Sequence, residues 1–289
     1  MISGNIKKHR RRSNMMLNPL NPAHLARIGR PPADAVTLNL EDAIAPARKK
    51  EALENIIDAL SRCGECTARI VVRVNPLDEG GAGEIAALGA DLPVDAIRLA
   101  KVRTREEIER TLALLPPGRD LDLSIETAEA FRDLARWRGI DRRLHMAHLG
   151  ILDLLADLDL PQYLLIPGNP LIDHLLGTFV IAARTAGMVP VGFMYQDYRD
   201  TVTYRVWLER MKRMGFDAAA CMGPRQALIA DAIFDADLHA LPRARHIVKT
   251  FEENALKNIN GFMDDLYGFI DEPIYRDALN ILKNMEKSI

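Results

Sequence analysis

Residues 121–131 read LDLSIETAEAF. Leu121, Leu123 and Ile125 alternate with Asp122 and Ser124, the period of two that a strand requires. At Glu126 the alternation stops, and Thr127 opens a stretch of helical spacing, TAEAFRDLARW. An apolar strand that ends in a carboxylate and runs directly into a helix is one β/α unit, and the chain repeats it. Short apolar runs occur at 13–17 (SNMML), 34–40 (DAVTLNL), 68–74 (ARIVVRV), 94–100 (VDAIRLA), 121–125, 143–149 (RLHMAHL), 189–195 (VPVGFMY) and 216–222 (FDAAACM). Helical patterns separate them; one opens with Thr104 and Glu107, the spacing of a capping box.

Eight such strands predict an α/β fold, a (β/α)8 TIM barrel. A doubly wound sheet would carry a Gly-rich phosphate turn after its first strand. Here that position reads MLNPLNPAHL, and the Gly cluster LDEGGAGE (77–84) lacks the spacing and reads as a mobile loop. The barrel domain is expected over residues 1–236. Residues 237–289 form a C-terminal helical extension, read as two helices around a turn, with Leu256, Ile259 and Phe262–Met263 on the first and Ile274, Ala278, Ile281 and Leu282 on the second.

The chain has 289 residues, 27% of them charged, and a net charge of −2. That balance gives no reason to expect nucleic acid or an anionic membrane as partner. No apolar run is long enough for a transmembrane helix. The basic start KKHRRR (7–12) lacks the apolar segment of a signal peptide and reads as a solvated or ligand-facing arm, so the cytoplasm is expected. Cys63, Cys66 and Cys221 suit a reducing compartment. The Cys-x-x-Cys spacing of Cys63 and Cys66 closes a helix and has no second cysteine pair, so it reads as coincidence rather than a redox or zinc site.

In a TIM barrel the active site gathers where the strands end. Glu41 and Asp42 end the second strand, Arg73 and Asn75 the third, and Glu126 the fifth. Asp153 follows the sixth, and Gln196, Asp197 and Asp200 follow the seventh. Adjacent strands lie about 4.8 Å apart, so Glu126 and Asp153 are able to reach one ion. Mg2+ accepts one or two carboxylates and keeps waters. His145 and His148 lie three apart and are expected on opposite faces of a strand, poor joint ligands. Each residue also has a structural reading. Glu126 and Asp153 would suit helix N-termini, and Arg73 would pair with Glu41.

These residues resemble the citrate lyase β-subunit-like family of the HpcH/HpaI aldolase superfamily. The similarity runs through RRSNMMLNPLNPAHL, AVTLNLEDAIAPARKKEA (the most specific block), VVRVNPL, IRLAKVRTREEIE, LSIETAEAF, GILDLLADL, GFDAAACMGPRQ and YGFIDEPIYRDALNIL. It departs from the family pattern at Asn39, Leu152 and Met222–Gly223.

The resemblance implies a Mg2+-dependent carbon–carbon lyase or aldolase, acting on a hydroxy acid or its acyl thioester through a metal-stabilised enolate. It maps metal binding onto Glu126 and Asp153 and substrate binding onto Arg12 and Arg73. Glu41 and Asp42 would hold metal-bound water or assist proton transfer. The partner would be a small keto acid or an acyl thioester of coenzyme A or acyl carrier protein. Family members often lay the C-terminal segment across a neighbour's active site. That implies a homo-oligomer, such as a trimer, with Asp271 near a partner's site; the competing reading has Asp271 cap the last helix. The competing functions are an accessory or binding protein and a thioester hydrolase on the same fold.

Overall fold

The computed structural model describes residues 11–64, 66–235 and 240–286. Most of the basic start, residues 7–10, lies outside them. Eight parallel strands close into a barrel in chain order, with β1 paired to β8. They are β1 (Ser13–Leu17), β2 (Ala35–Asn39), β3 (Arg69–Val74), β4 (Ala96–Leu99), β5 (Asp120–Ile125), β6 (Leu144–Leu149), β7 (Val189–Gly192) and β8 (Ala218–Cys221). This is the TIM-barrel fold.

Helices occupy the connections: α1 (Pro22–Leu25), α2 (Lys49–Ser61), α3 (Gly81–Leu88), α4 (Arg105–Leu114), α5 (Ala128–Asp133), α6 (Ile151–Asp157), α7 (Pro170–Ala186), α8 (Thr201–Met214) and α9 (Pro224–Phe234). The capping box at Thr104 and Glu107 forms and opens α4. The 77–84 stretch is a helical turn followed by the start of α3, not a loop. Gly81 makes this possible, since a Cβ there would lie 2.1 Å from the Asn75 carbonyl oxygen.

Register partners on neighbouring strands share a face. The outward residues, Val36, Leu38, Ile70, Val72, Leu121 and Leu123 among them, join the main apolar core with the helices. The inward residues are unusual for this fold, whose interior is ordinarily filled by branched apolar side chains. Thr37, Asn39, Arg69, Arg73, Arg98, Asp122, Ser124 and His148 are all buried polar groups. A small separate apolar cluster of Met146, Val191 and Ala218 lies across from them, on β6 to β8.

Two expectations fail locally. Leu121 pairs with Leu144, but Leu123 pairs with Ala147, so two steps of β5 match three of β6. This irregularity breaks strict alternation. His145 and His148 therefore both come within electrostatic reach of Asp122 instead of pointing to opposite faces. Cys63 and Cys66 are joined as a disulfide rather than being a coincidental pair. Their Cα atoms lie 6.8 Å apart, just beyond the end of α2.

Arg11–Phe234 form one compact unit and the chain from Asp235 onward another. The second unit is not two helices around a turn. It contains α10 (Ala240–Ala255), an antiparallel hairpin of β9 (Gly261–Asp264) and β10 (Gly268–Asp271), and α11 (Glu272–Glu286). Phe262 and Met263 belong to the hairpin. Ala244, Ile247, Phe251, Ile270 and Ala278 are its buried centre. Leu256 is exposed, so the inward face of α10 lies earlier in the sequence than its apolar residues at 256–263 suggest. No helix among the described residues is long and apolar enough to cross a membrane.

Candidate active site

Glu126 leaves β5 pointing into the barrel's C-terminal mouth, and two groups occupy it there. Arg73 Nη2 donates to its two oxygens at 3.0 and 3.1 Å. The backbone N–H of Lys101 donates to Oε1 at 2.7 Å. Glu126 does not cap the next helix; Thr127 does, accepting from the Ala130 N–H at 3.2 Å. Lys101 reaches Glu126 because its φ is 48°, in the left-handed region, which costs a non-glycine residue roughly 1–2 kcal/mol. Gly150 is equally specific, since a Cβ there would lie 2.5 Å from Glu126 Oε2.

Glu41, Asp42 and Lys101 complete the rim. Arg73 Nη2 also lies 3.0 Å from Glu41 Oε2, an ion-pair contact that leaves this buried oxygen without a hydrogen bond. The Lys101 ammonium bridges Glu41 Oε1 and Asp42 Oδ1, each at 2.8 Å. Burial raises the Glu41 carboxyl above the usual range, outweighing Arg73 and Lys101. At Asp42 burial acts the same way, but the Lys101 ammonium overrides it and holds the carboxyl low.

Asp153 stands in the first turn of α6 and differs from the others. It makes no hydrogen bond or ion pair among the described residues. Burial, then the charges of Glu126 and Asp42, raise its carboxyl above the usual range. A carboxylate pushed up by neighbouring carboxylates, with no cation of its own, is the setting a divalent ion relieves. Among the described residues no group of three His, Cys, Asp or Glu forms a metal cage. Two carboxylates, Glu126 and Asp153, are the residues of the mouth that could hold a hard cation together with waters and substrate oxygens.

Not every residue singled out above gathers here. Arg12 precedes β1 at the opposite end of the strand. Its guanidinium grips Asp34 at 2.8 and 3.1 Å and donates to the Asp231 carbonyl at 3.3 Å. The structure does not bring it to the mouth. Asp200 caps α8 through the Thr203 N–H at 2.9 Å. In the second unit, Asp271 accepts from the Ile274 N–H at 3.3 Å and so caps α11. Lys101 and Gly150 escaped the sequence reading as site residues. Lys101 sits two positions past the end of β4, where a lysine ordinarily reads as solvated, and Gly150 carries no side chain to notice.

Below this layer the barrel interior holds Arg69, whose guanidinium meets Asp122 Oδ2 at 2.5 Å and Oδ1 at 3.2 Å, and Asp120 at 3.1 Å. Between the two layers is Arg98. Its Nε donates to Ser124 Oγ at 2.8 Å. Burial, then Arg73, pulls its guanidinium down to about 9, still protonated at neutral pH. His148, inside the barrel, is pushed to about 4 by burial and then by Arg98.

The chain is similar to known proteins over most of its length. Residues 12–224 match the HpcH/HpaI aldolase/citrate lyase family. A (3S)-malyl-CoA thioesterase of Cereibacter sphaeroides is 31% identical over 224 residues, 76% of each chain. An L-malyl-CoA/beta-methylmalyl-CoA lyase of Rhodobacter capsulatus is 25% identical over 262 residues, 80% of this chain and 81% of that one. A solved structure of a Mycobacterium tuberculosis protein in complex with magnesium, acetoacetate and coenzyme A superposes with a TM-score of 0.73 at 22% identity, covering 96% of this chain and 98% of that one. The barrel, its carboxylate-lined mouth and these similarities together make the chain a member of the HpcH/HpaI aldolase/citrate lyase family.

Proposed function

We propose that this protein is a Mg2+-dependent lyase or aldolase that cleaves, or forms, a carbon–carbon bond in a hydroxy acid or its acyl thioester. The observation that carries the reading is Asp153, a carboxylate without a cation, beside a Glu126 fixed by Arg73 and the Lys101 backbone. Glu126 and Asp153 would hold the ion. When bound, it would polarise a substrate oxygen and offset negative charge that develops there.

The protein's own groups then have distinct tasks. Arg73 Nη2 is committed to Glu41 and Glu126, so Arg73 meets a substrate carboxylate with its other terminal nitrogen, not as a free two-pronged clamp. Glu41, raised by burial, is the candidate to carry a proton between the substrate hydroxyl and the mouth. Lys101 keeps Asp42 charged and Glu41 in position. Coenzyme A and acyl carrier protein both remain compatible carriers.

Thioester hydrolysis is the second reading, supported by the 31% identity with a malyl-CoA thioesterase. One incubation separates the two. Malyl-CoA with Mg2+ yields glyoxylate and acetyl-CoA if the carbon–carbon bond breaks, and malate with a free thiol if the thioester breaks. Release of free thiol without glyoxylate overturns the lyase reading. Glu126→Gln and Asp153→Asn should each lose Mg2+ binding in calorimetry while keeping the fold. Unchanged affinity in both removes the proposed ion site. We further propose a homo-oligomer, supported by the exposed Leu256, Met263, Leu266 and Phe269 of the second unit. Light scattering that gives a single-chain mass would exclude it.

A further inference from the structure

Three arginines line adjacent inward positions of the barrel, and their surroundings differ. Arg69 on β3 is matched by Asp120 and Asp122, and Arg73 on the same strand by Glu41 and Glu126. Arg98 on β4 is in register with Arg73 on one side and Asp122 on the other. It forms no ion pair among the described residues. Its one hydrogen bond, from Nε to Ser124, fixes the plane of the guanidinium and leaves both terminal nitrogens uncommitted. Buried polar atoms lacking partners include Arg69 Nε and Arg73 Nε, but neither terminal nitrogen of Arg98. The terminal nitrogens of Arg98 are therefore not fully enclosed. The exposure of Arg98, 6%, exceeds the 2% of Glu126 and of Glu41.

Glu126, Asp122 and Glu41 lie within electrostatic reach of Arg98, but a buried guanidinium that pairs directly with none of them is costly unless an anion joins it. Elsewhere in the barrel interior, Thr37 Oγ1 on β2 and both ring nitrogens of His148 on β6 are also buried without hydrogen-bond partners, with His148 Nε2 3.7 Å from Asp122 Oδ2. That is the pattern of an interior that awaits a polar guest. Resting on the lyase or hydrolase reading of this same mouth, we propose that Arg98 is a substrate-specificity residue. It binds a second carboxylate of the ligand, beyond the one that meets Arg73, and so selects acids with two anionic ends. A planar guanidinium held edge-on by Ser124 presents two parallel N–H donors, the geometry a carboxylate accepts.

The probes are L-malate and L-lactate, two hydroxy acids that differ in the second carboxylate. Calorimetry in Mg2+ should show malate binding the parent protein about ten- to a hundredfold more tightly than lactate, the range of a charged hydrogen-bonded contact. Arg98→Met should bring malate down to the level of lactate and leave lactate within about twofold. Arg98→Lys, which keeps the charge and loses the fork, should retain part of the preference. A parent that binds malate and lactate equally overturns the assignment, and this test needs no folded variant. So does an Arg98→Met protein that weakens both ligands alike, as a merely structural arginine would. A parent that binds neither acid with Mg2+ overturns the reading of the mouth itself, and this inference with it.

Discussion

Near the starting ends of the strands, Arg69 is sealed among Asp120, Asp122 and the sulfur of Met146, and Asp122 takes a further hydrogen bond from the Met146 N–H at 3.2 Å. At the finishing ends, Arg73 shares one nitrogen between two carboxylates, Glu41 keeps a buried oxygen without a hydrogen bond, and Asp153 lacks any partner. Both layers are built from arginine and carboxylate; the lower comes from β3 and β5, and the upper adds Glu41 after β2 and Asp153 in α6. In the lower one both terminal nitrogens of Arg69 and both oxygens of Asp122 are paired, so this ion pair contributes to one defined native state. The upper one is under-satisfied, which stores the capacity to bind. Residue type does not separate structure from chemistry here; the degree of saturation does.

The largest expected effect breaks the saturated layer. Asp122→Ala leaves Arg69 buried with only the half-exposed Asp120, and removal of one partner from a buried pair costs about 3–5 kcal/mol. Urea unfolding measures it. A loss below about 1 kcal/mol would mean that water enters this layer and that the contrast between the layers is wrong.

Acid should also act on the lower layer. His148 has a folded-state pKa of about 4, below the ordinary 6.5. The unfolded chain therefore takes up a proton that the folded chain refuses. Stability is full above about pH 6.5 and falls by about 1.4 kcal/mol per pH unit between there and pH 4, with His145 adding in the same direction. Asp122 is held low by Arg69 against burial, and its contribution is lost only below the ordinary aspartate range. Unfolding midpoints across pH 7 to 4.5 should drop, and His148→Leu should flatten the slope. An equally steep slope in the variant assigns the acid sensitivity elsewhere.

Gly150→Ala sharpens the comparison from the other side. The new Cβ would sit 2.5 Å from Glu126 Oε2 and must displace it. Overpacking of this kind costs about 1–3 kcal/mol, and Mg2+ affinity should fall about tenfold or more. Parental Mg2+ binding in this variant would detach Glu126 from the ion. The smallest effect is expected for Arg12→Ala. Its pairing with Asp34 is partly exposed, so the cost is about 1 kcal/mol, and the binding of malate should not change. A tenfold loss of ligand affinity would restore Arg12 to the substrate site, against its position before β1.

The strand ends were readable from the sequence because alternation fixes which residues face inward, and chain order fixes which end is the mouth. Glu41, Asp42, Arg73 and Glu126 follow from those two regularities, and Asp153, in the first turn of α6, from the rim position of the loop after β6. Lys101 was not readable, since its role depends on a left-handed backbone that delivers an N–H to Glu126 rather than on its side-chain type. Gly150 was hidden for the complementary reason: its contribution is the absence of atoms where Glu126 must lie.

Local pattern alone determined the eight β/α units, their order and the carboxylates at the C-terminal rim, because period and turn chemistry are properties of short segments. Tertiary structure decided the rest. The β5–β6 irregularity brought His145 and His148 toward the same carboxylate, against the alternation that spacing implies. The hairpin of the second unit formed where apolar spacing suggested more helix, because Ile270 had a buried face to join. Which arginine is saturated and which is left open follows only from the distances between strands that are neighbours in the barrel. A charge's partners are chosen across the fold, by residues such as Arg69 and Asp122 or Arg73 and Glu126 that no local window contains together.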